Sequence, residues 1–268
     1  MKFLDKLDPD IRNALISQLR NLWTHSSTAI EGNSLTLGET DFVLSEGLTI
    51  AGKPIKDHQE VLGHARAIDL IYDILKRNSP MTDEDLFLLH RAVQTNIIVD
   101  IYKPVGAWKI EPNGAHGIVK NEQMFFSFSP PEDVPDLMKE WIELLNLRMK
   151  DNLSALEALS AYEDLHVSFV RIHPFFDGNG RMARLLSNLP VLKSGFPPII
   201  IPNERRLEYI RFLSEYHYEV GSAKKGNPLL PAPDKLLEFQ SFCADAWKAS
   251  KILVEQAYQE QKKRKSIS

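Results

Sequence analysis

A chain of 268 residues with 43% hydrophobic content can bury a full core in one domain or in a domain with helical extensions. Its net charge of -4 argues against a general nucleic-acid binder. No run of about 18 uninterrupted apolar residues is present, and MKFLDKLDPDIRN has acidic residues where a signal peptide needs an apolar segment. The expected location is therefore the cytoplasm, away from membranes.

Helical periodicity dominates from the N-terminus. Residues 8–26 carry Ile11, Leu15, Leu19, Leu22 and Trp23 at the spacing of one helix face, with Asp8 as N-cap and Pro9 at the first helical position. A second helix is expected over 56–76. Thr82, three residues ahead of Asp85, opens a third in the manner of a capping box. Residues 103–130 break the pattern, because Gly106, Pro112, Asn113, Gly114 and Gly117 interrupt short extended pieces; a hairpin or ordered loop is predicted there. Further helices are expected over 131–149, 153–172, 204–218 and 233–262, with GNPLLPAP at 226–233 as a linker. The one cysteine, Cys243, allows no internal disulfide and reads as half-buried on a helix. The tail QKKRKSIS reads as a frayed, solvated helix end. The chain divides into a helical N-terminal region (1–79), a core (80–225) and a C-terminal helical extension (226–268), a mainly α fold.

The densest chemistry lies at HPFFDGNGRMAR, residues 173–184. Gly178 and Gly180 lack the Cβ atoms that would keep a phosphate off the backbone, and the helix expected from Arg181 would aim free N–H groups at that loop. Arg181 and Arg184, three apart, would share one helix face and fork onto phosphate oxygens. Asp177 could hold Mg²⁺ against the same phosphates. His173, as neutral imidazole, could take a proton from an attacking hydroxyl. A histidine before proline or a single G-N-G is, alone, most often a turn feature. Found together, they indicate a polyphosphate site.

This run resembles the signature of the Fic family, H-x-F-x-[D/E]-G-N-G-R-x-x-R, and matches at every fixed position. The resemblance extends over about 86–219, with family-like elements again at 27–37. It implies the Fic fold, a helical bundle with a short β-hairpin flap, in which the signature joins two central helices. It also implies a protein adenylyltransferase that moves AMP from Mg-ATP onto Ser, Thr or Tyr hydroxyls of target proteins, and in some cases onto itself. His173 would be the base and Asp177 the Mg²⁺ ligand. Gly178, Asn179, Gly180, Arg181 and Arg184 would hold the phosphates. Gly106-Ala107-Trp108-Lys109 resembles the lead-in to the flap, and Gly117, Ile118, Val119 and Lys120 its strand, where a target's backbone would add by strand pairing. Tyr209, on the helix after the signature, would lie against the adenine; further along that helix some relatives carry asparagine where this chain has His217.

Ser27-Thr28-Ala29-Ile30-Glu31-Gly32 fits the family's inhibitory motif, [S/T]-x-x-x-E-[G/N], in the subgroup whose inhibitory helix is N-terminal. Ser27 and Glu31 lie one helical turn apart, and a glutamate reaching the signature would compete for an arginine that the γ-phosphate needs; the resemblance implies that this is the second arginine, here Arg184. Two other readings stay open. Glu31 could orient water to remove AMP from a modified hydroxyl, or the chain could be a nucleotide-sensing adaptor without chemistry. A homodimer fits this family picture too.

Overall fold

The computed structural model describes residues 1–77, 79–95, 100–150 and 152–267. Helices α1 (Pro9–Ile30), α2 (Leu37–Glu46), α3 (Ile55–Lys76) and α4 (Asp83–Val93) come first, followed by a hairpin of β1 (Gly114–Val119) and β2 (Glu122–Ser127). Then come α5 (Val134–Arg148), α6 (Ala155–Ile172), α7 (Asn179–Leu186), α8 (Asn188–Lys193), α9 (Arg206–Val220) and α10 (Leu237–Ile267). The described residues are mainly helical with one two-stranded antiparallel sheet, which is the architecture of the Fic fold.

Helix α6 runs through the middle because it is apolar nearly all round. Leu165 and Phe169 face a cluster shared with Leu19 of α1, Ile68 of α3, Leu89 of α4 and Trp141 of α5. Tyr162 and Val167 face a second cluster with Tyr209 of α9 and Phe239, Phe242 and Trp247 of α10. The helix starts on a Ser154–Glu157 capping box, with Glu157 N–H donating to Ser154 Oγ at 3.3 Å. Asp85 reaches back to the Thr82 N–H at 3.1 Å at the start of α4, as its sequence predicts.

Local chemistry moves several boundaries. Residue spacing does not reveal α2, which stands between a Thr36–Glu39 capping box and Gly47 at φ 67. The signature helix begins at Asn179, two residues before Arg181, and stops at Ser187. There Pro190 lacks the N–H that a continuous helix would need, and Asn188 Nδ2 takes the Arg184 and Ile199 carbonyls, each at 2.9 Å. Lys120 lies outside the flap strand: Lys120 and Asn121, at φ 51 and 65, form the two-residue turn that joins β1 to β2.

The C-terminal helix ties back to the N-terminus. Asp8 N–H donates to Gln261 Oε1 at 2.6 Å, Gln261 Nε2 donates to Asp8 Oδ2 at 2.8 Å, and Tyr258 donates to the Asp5 carbonyl at 2.7 Å. Asp8 thus serves α10 with its carboxylate and makes no side-chain cap on α1. The 226–233 linker is held down, with Arg171 bonded to the Leu229 carbonyl and Tyr216 donating to that of Pro231. Cys243 is completely buried, deeper than its surroundings in the sequence predict.

Candidate active site

A cavity of about 370 Å³ opens between the end of α1, the hairpin, the 173–180 loop and α9. His173 terminates α6 in the left-handed conformation, at φ 54 and ψ 59, which turns the chain sharply into the loop. Its Nδ1 donates to the Val170 carbonyl at 3.2 Å, which fixes the tautomer and leaves the Nε2 lone pair for the cavity. The ring stacks on Phe128 at 3.6 Å between centroids and 2° between planes. Desolvation, aided by the charges of Lys109 and His217, pushes its pKa well below the ordinary histidine value. Neutral imidazole is the form a proton acceptor requires.

The loop is braced from within. Asn179 turns inward, its Oδ1 accepting from Phe175 N–H at 2.9 Å and its Nδ2 donating to the Phe175 carbonyl at 2.8 Å. Its side chain therefore shapes the loop, while Gly178, Asn179 and Gly180 all line the cavity. Gly178 sits at φ 79, where a side chain would be strained. His90 accepts from Gly106 N–H at 2.9 Å and donates to the Asp177 carbonyl at 3.0 Å, stacked on Phe175.

Asp177 stands at the cavity mouth with its side chain 64% exposed, and accepts from Gly178 N–H at 2.7 Å. Partial desolvation opposes its charge, but a hydrogen bond from Gln94 and the nearby Arg181 cation outweigh it and hold the carboxyl below its usual range. Among the described residues no group of three or more His, Cys, Asp or Glu side chains could hold a metal. A lone ionised carboxylate beside a glycine loop nevertheless fits Mg²⁺, which takes one or two carboxylates and fills its shell with other oxygens and water.

The two arginines separate. Arg181 points toward α4, its Nη1 donating to the Val93 carbonyl at 3.3 Å and its Nη2 lying 3.5 Å from Gln94 Oε1 and 3.7 Å from Asp177. The structure does not bring its guanidinium to the cavity. Arg184 does reach it, and is held from three sides. Its Nε donates to Ser27 Oγ at 3.0 Å, Nη1 to Tyr209 Oη at 3.2 Å, and Nη2 to the Ser27 carbonyl at 2.8 Å and Glu31 Oε1 at 2.6 Å. Glu31, just past the end of α1, lies so close over Gly180 that a Cβ there would be 2.5 Å from Oε1. Arg206 of α9 pins the same end of α1, donating to the Ile30 carbonyl at 2.6 Å.

Tyr209 is buried, and its hydroxyl joins Arg184 to His166 Nε2 at 3.0 Å. It lines the cavity together with His217, which packs edge-on against Phe126 and Phe128. From the flap, Gly117 lines the cavity and packs on α9, where Ser214 Oγ accepts from Ile118 N–H at 3.2 Å. Ile118, Val119 and Lys120 lie off the cavity wall. His90, Gln94, Asn113 and Arg206 carry no sequence motif and meet the signature from other elements, while His166, on α6 just ahead of the signature, has no pattern of its own.

Residues 80–191 match the Fic/DOC family model. A protein adenylyltransferase fic-1 of Caenorhabditis briggsae is 36% identical over 193 residues, which are 70% of this chain and 35% of that protein. Protein adenylyltransferase Fic of Drosophila erecta is 32% identical over 191 residues. The chain spans about a third of the length of these curated relatives. Among solved structures, a Fic domain containing signaling protein from Bacteroides thetaiotaomicron superposes with a TM-score of 0.80 at 26% identity, covering 96% of this chain and 93% of that one. Fic-1 (aa134 - 508) from C. elegans gives 0.69 at 26% identity over 97% of this chain and 69% of that chain.

Proposed function

The chain carries a Fic/DOC family domain over residues 80–191, and from that premise we propose that it is a protein adenylyltransferase, moving AMP from ATP onto Ser, Thr or Tyr hydroxyls of target proteins and restrained by Glu31. The observation that carries the reading is the 2.6 Å Arg184–Glu31 bond on the wall of the cavity that also holds His173 and the glycine loop.

Acting on ATP, His173 Nε2 takes the proton of the target hydroxyl as its oxygen bonds the α-phosphorus in line, and pyrophosphate leaves. Val170 and Phe128 keep the imidazole from rotating away. The Gly178–Gly180 backbone at the start of α7 faces the phosphate oxygens, on which most of the developing charge falls. Asp177 would hold Mg²⁺, which supplies charge neutralisation on the phosphates. Glu31 occupies the Arg184 donor that a γ-phosphate would take, so the triphosphate is excluded or held in an unproductive pose. The flap offers main-chain groups to a target's backbone, which orients a hydroxyl without reading much sequence.

Glu31 shares the cavity with His173 and its side chain is 39% exposed, which supports a second reading: a carboxylate that orients water to remove AMP from a modified hydroxyl. The two part at Glu31→Gly, which raises transfer under the first and abolishes AMP release under the second. Catalysis is tested in a Glu31→Gly background, where His173→Ala should lower AMP transfer roughly 10²- to 10⁴-fold. Transfer at the parental rate would remove His173 as the base.

A further inference from the structure

Beneath the signature loop lies a buried cation that none of these steps uses. Lys109 is 2% exposed, and its ammonium donates to Asn113 Oδ1 at 2.6 Å. Desolvation lowers its pKa to about 8, with no carboxylate among the causes. An apolar chain of the same length would fill this space without the cost of burying a charge, so packing alone does not account for a lysine here.

Its surroundings show what it holds. Asn113 Nδ2 donates to the Phe175 carbonyl at 2.8 Å and to that of Phe176 at 3.3 Å, and the Lys109 N–H donates to the Pro174 carbonyl at 2.9 Å. Those are the three backbone carbonyls between His173 and Asp177, the Phe175 N–H being held by Asn179. We propose that Lys109, acting through Asn113, is a positioning residue that fixes the 174–176 backbone and thereby the placement of His173 and Asp177. The lysine orients the Asn113 amide, whose other end can then only donate to the loop. Its charge also acts on His173, as do those of Asp177 and His217, with Val170 on Nδ1; a cation behind the loop disfavours imidazolium.

The inference rests on the adenylyl-transfer reading for its kinetic readout, and a titration keeps the two separable. Parent Glu31→Gly protein is compared with added Lys109→Met, Lys109→Arg and Asn113→Ala, measuring kcat and KM for ATP, the unfolding midpoint, and the NMR titration of the His173 ring. Lys109→Met and Asn113→Ala should each lower kcat about 10- to 100-fold, with KM for ATP changing by less than about threefold. Lys109→Met alone should move the His173 titration to higher pH, by about one pH unit, and Lys109→Arg should restore both readouts. Parental kcat with an unmoved titration in Lys109→Met overturns the proposal, as does a loss carried wholly by KM. If Lys109→Met does not fold, Asn113→Ala decides, and parental kcat there overturns it. If the parent transfers no label, adenylyl transfer fails while an unmoved His173 titration in Lys109→Met still overturns the role of Lys109.

Discussion

Arg184 donates to Ser27, Tyr209 and Glu31 at once while only 2% exposed, so each partner removed leaves a buried donor with one acceptor fewer. Tyr209→Phe deletes the hydroxyl that also serves His166 Nε2, and leaving those buried groups unpaired should cost about 1–3 kcal/mol, read as a lower unfolding midpoint. An unchanged midpoint would mean that water or a rotated side chain replaces the hydroxyl. Gly180→Ala sets a methyl 2.5 Å from Glu31 Oε1, which must swing off Arg184. In a double-mutant cycle on stability, Gly180→Ala and Glu31→Gly should couple by about 1 kcal/mol, because the clash vanishes with the carboxylate. Additive effects would show that Glu31 is not held there. The pairing of Glu31 with Arg184 is legible in the sequence as two motifs, each complete within a few residues. The divergence of Arg181 from Arg184 is not, because it depends on Val93 and Gln94, which approach from α4.

The proposed site centres on the junction of α6 and α7, which the signature specifies locally through His173 in the left-handed conformation and Gly178 at φ 79. Elements with weaker local signals are harder to read: α2 is a short helix behind a capping box, and the break before α8 becomes clear only when Asn188 meets Ile199. The hairpin is legible from its glycines, but its seat on α9 is tertiary. A Cβ at Gly117 would lie 2.1 Å from Ser214 Oγ, so Gly117→Ala should push β1 off α9 at a cost of about 1–3 kcal/mol. Protein labelling by Glu31→Gly protein should fall with it while ATP binding persists; equal labelling would mean that the seat of β1 on α9 does not matter for targets. At the other end, Arg206→Ala frees the Ile30 carbonyl and should raise basal transfer in the wild type but not in Glu31→Gly, where α1 restrains nothing.

Across the whole molecule, burial of neutral imidazoles couples stability to pH. Burial holds His64, His90, His166 and His173 well below their ordinary values, His90 at about 4 and His166 and His173 at about 3. Below about pH 6.5 the unfolded chain therefore binds protons that the folded chain does not, and stability falls as pH falls. Glu163 acts with the opposite sign, since burial raises its pKa to about 7 and the folded chain carries its proton first; Asp164 is raised as well. Four imidazoles outweigh the carboxyls, leaving a net loss on the order of 3 kcal/mol between about pH 7 and 5.5. The unfolding midpoint should drop over that interval, and a flat or rising midpoint would mean that these histidines titrate normally. The mainly helical fold is legible from periodicity, whereas the closure of α10 onto the N-terminus through Gln261 and Asp8 joins residues 253 apart and leaves no local trace. The most direct test of restrained adenylyl transfer uses wild-type and Glu31→Gly protein with ATP labelled at either the α- or the γ-phosphate. Label from the α-phosphate alone should appear on protein, at least about tenfold faster once Glu31 is gone. Equal rates in the two proteins, or label from the γ-phosphate, would contradict it.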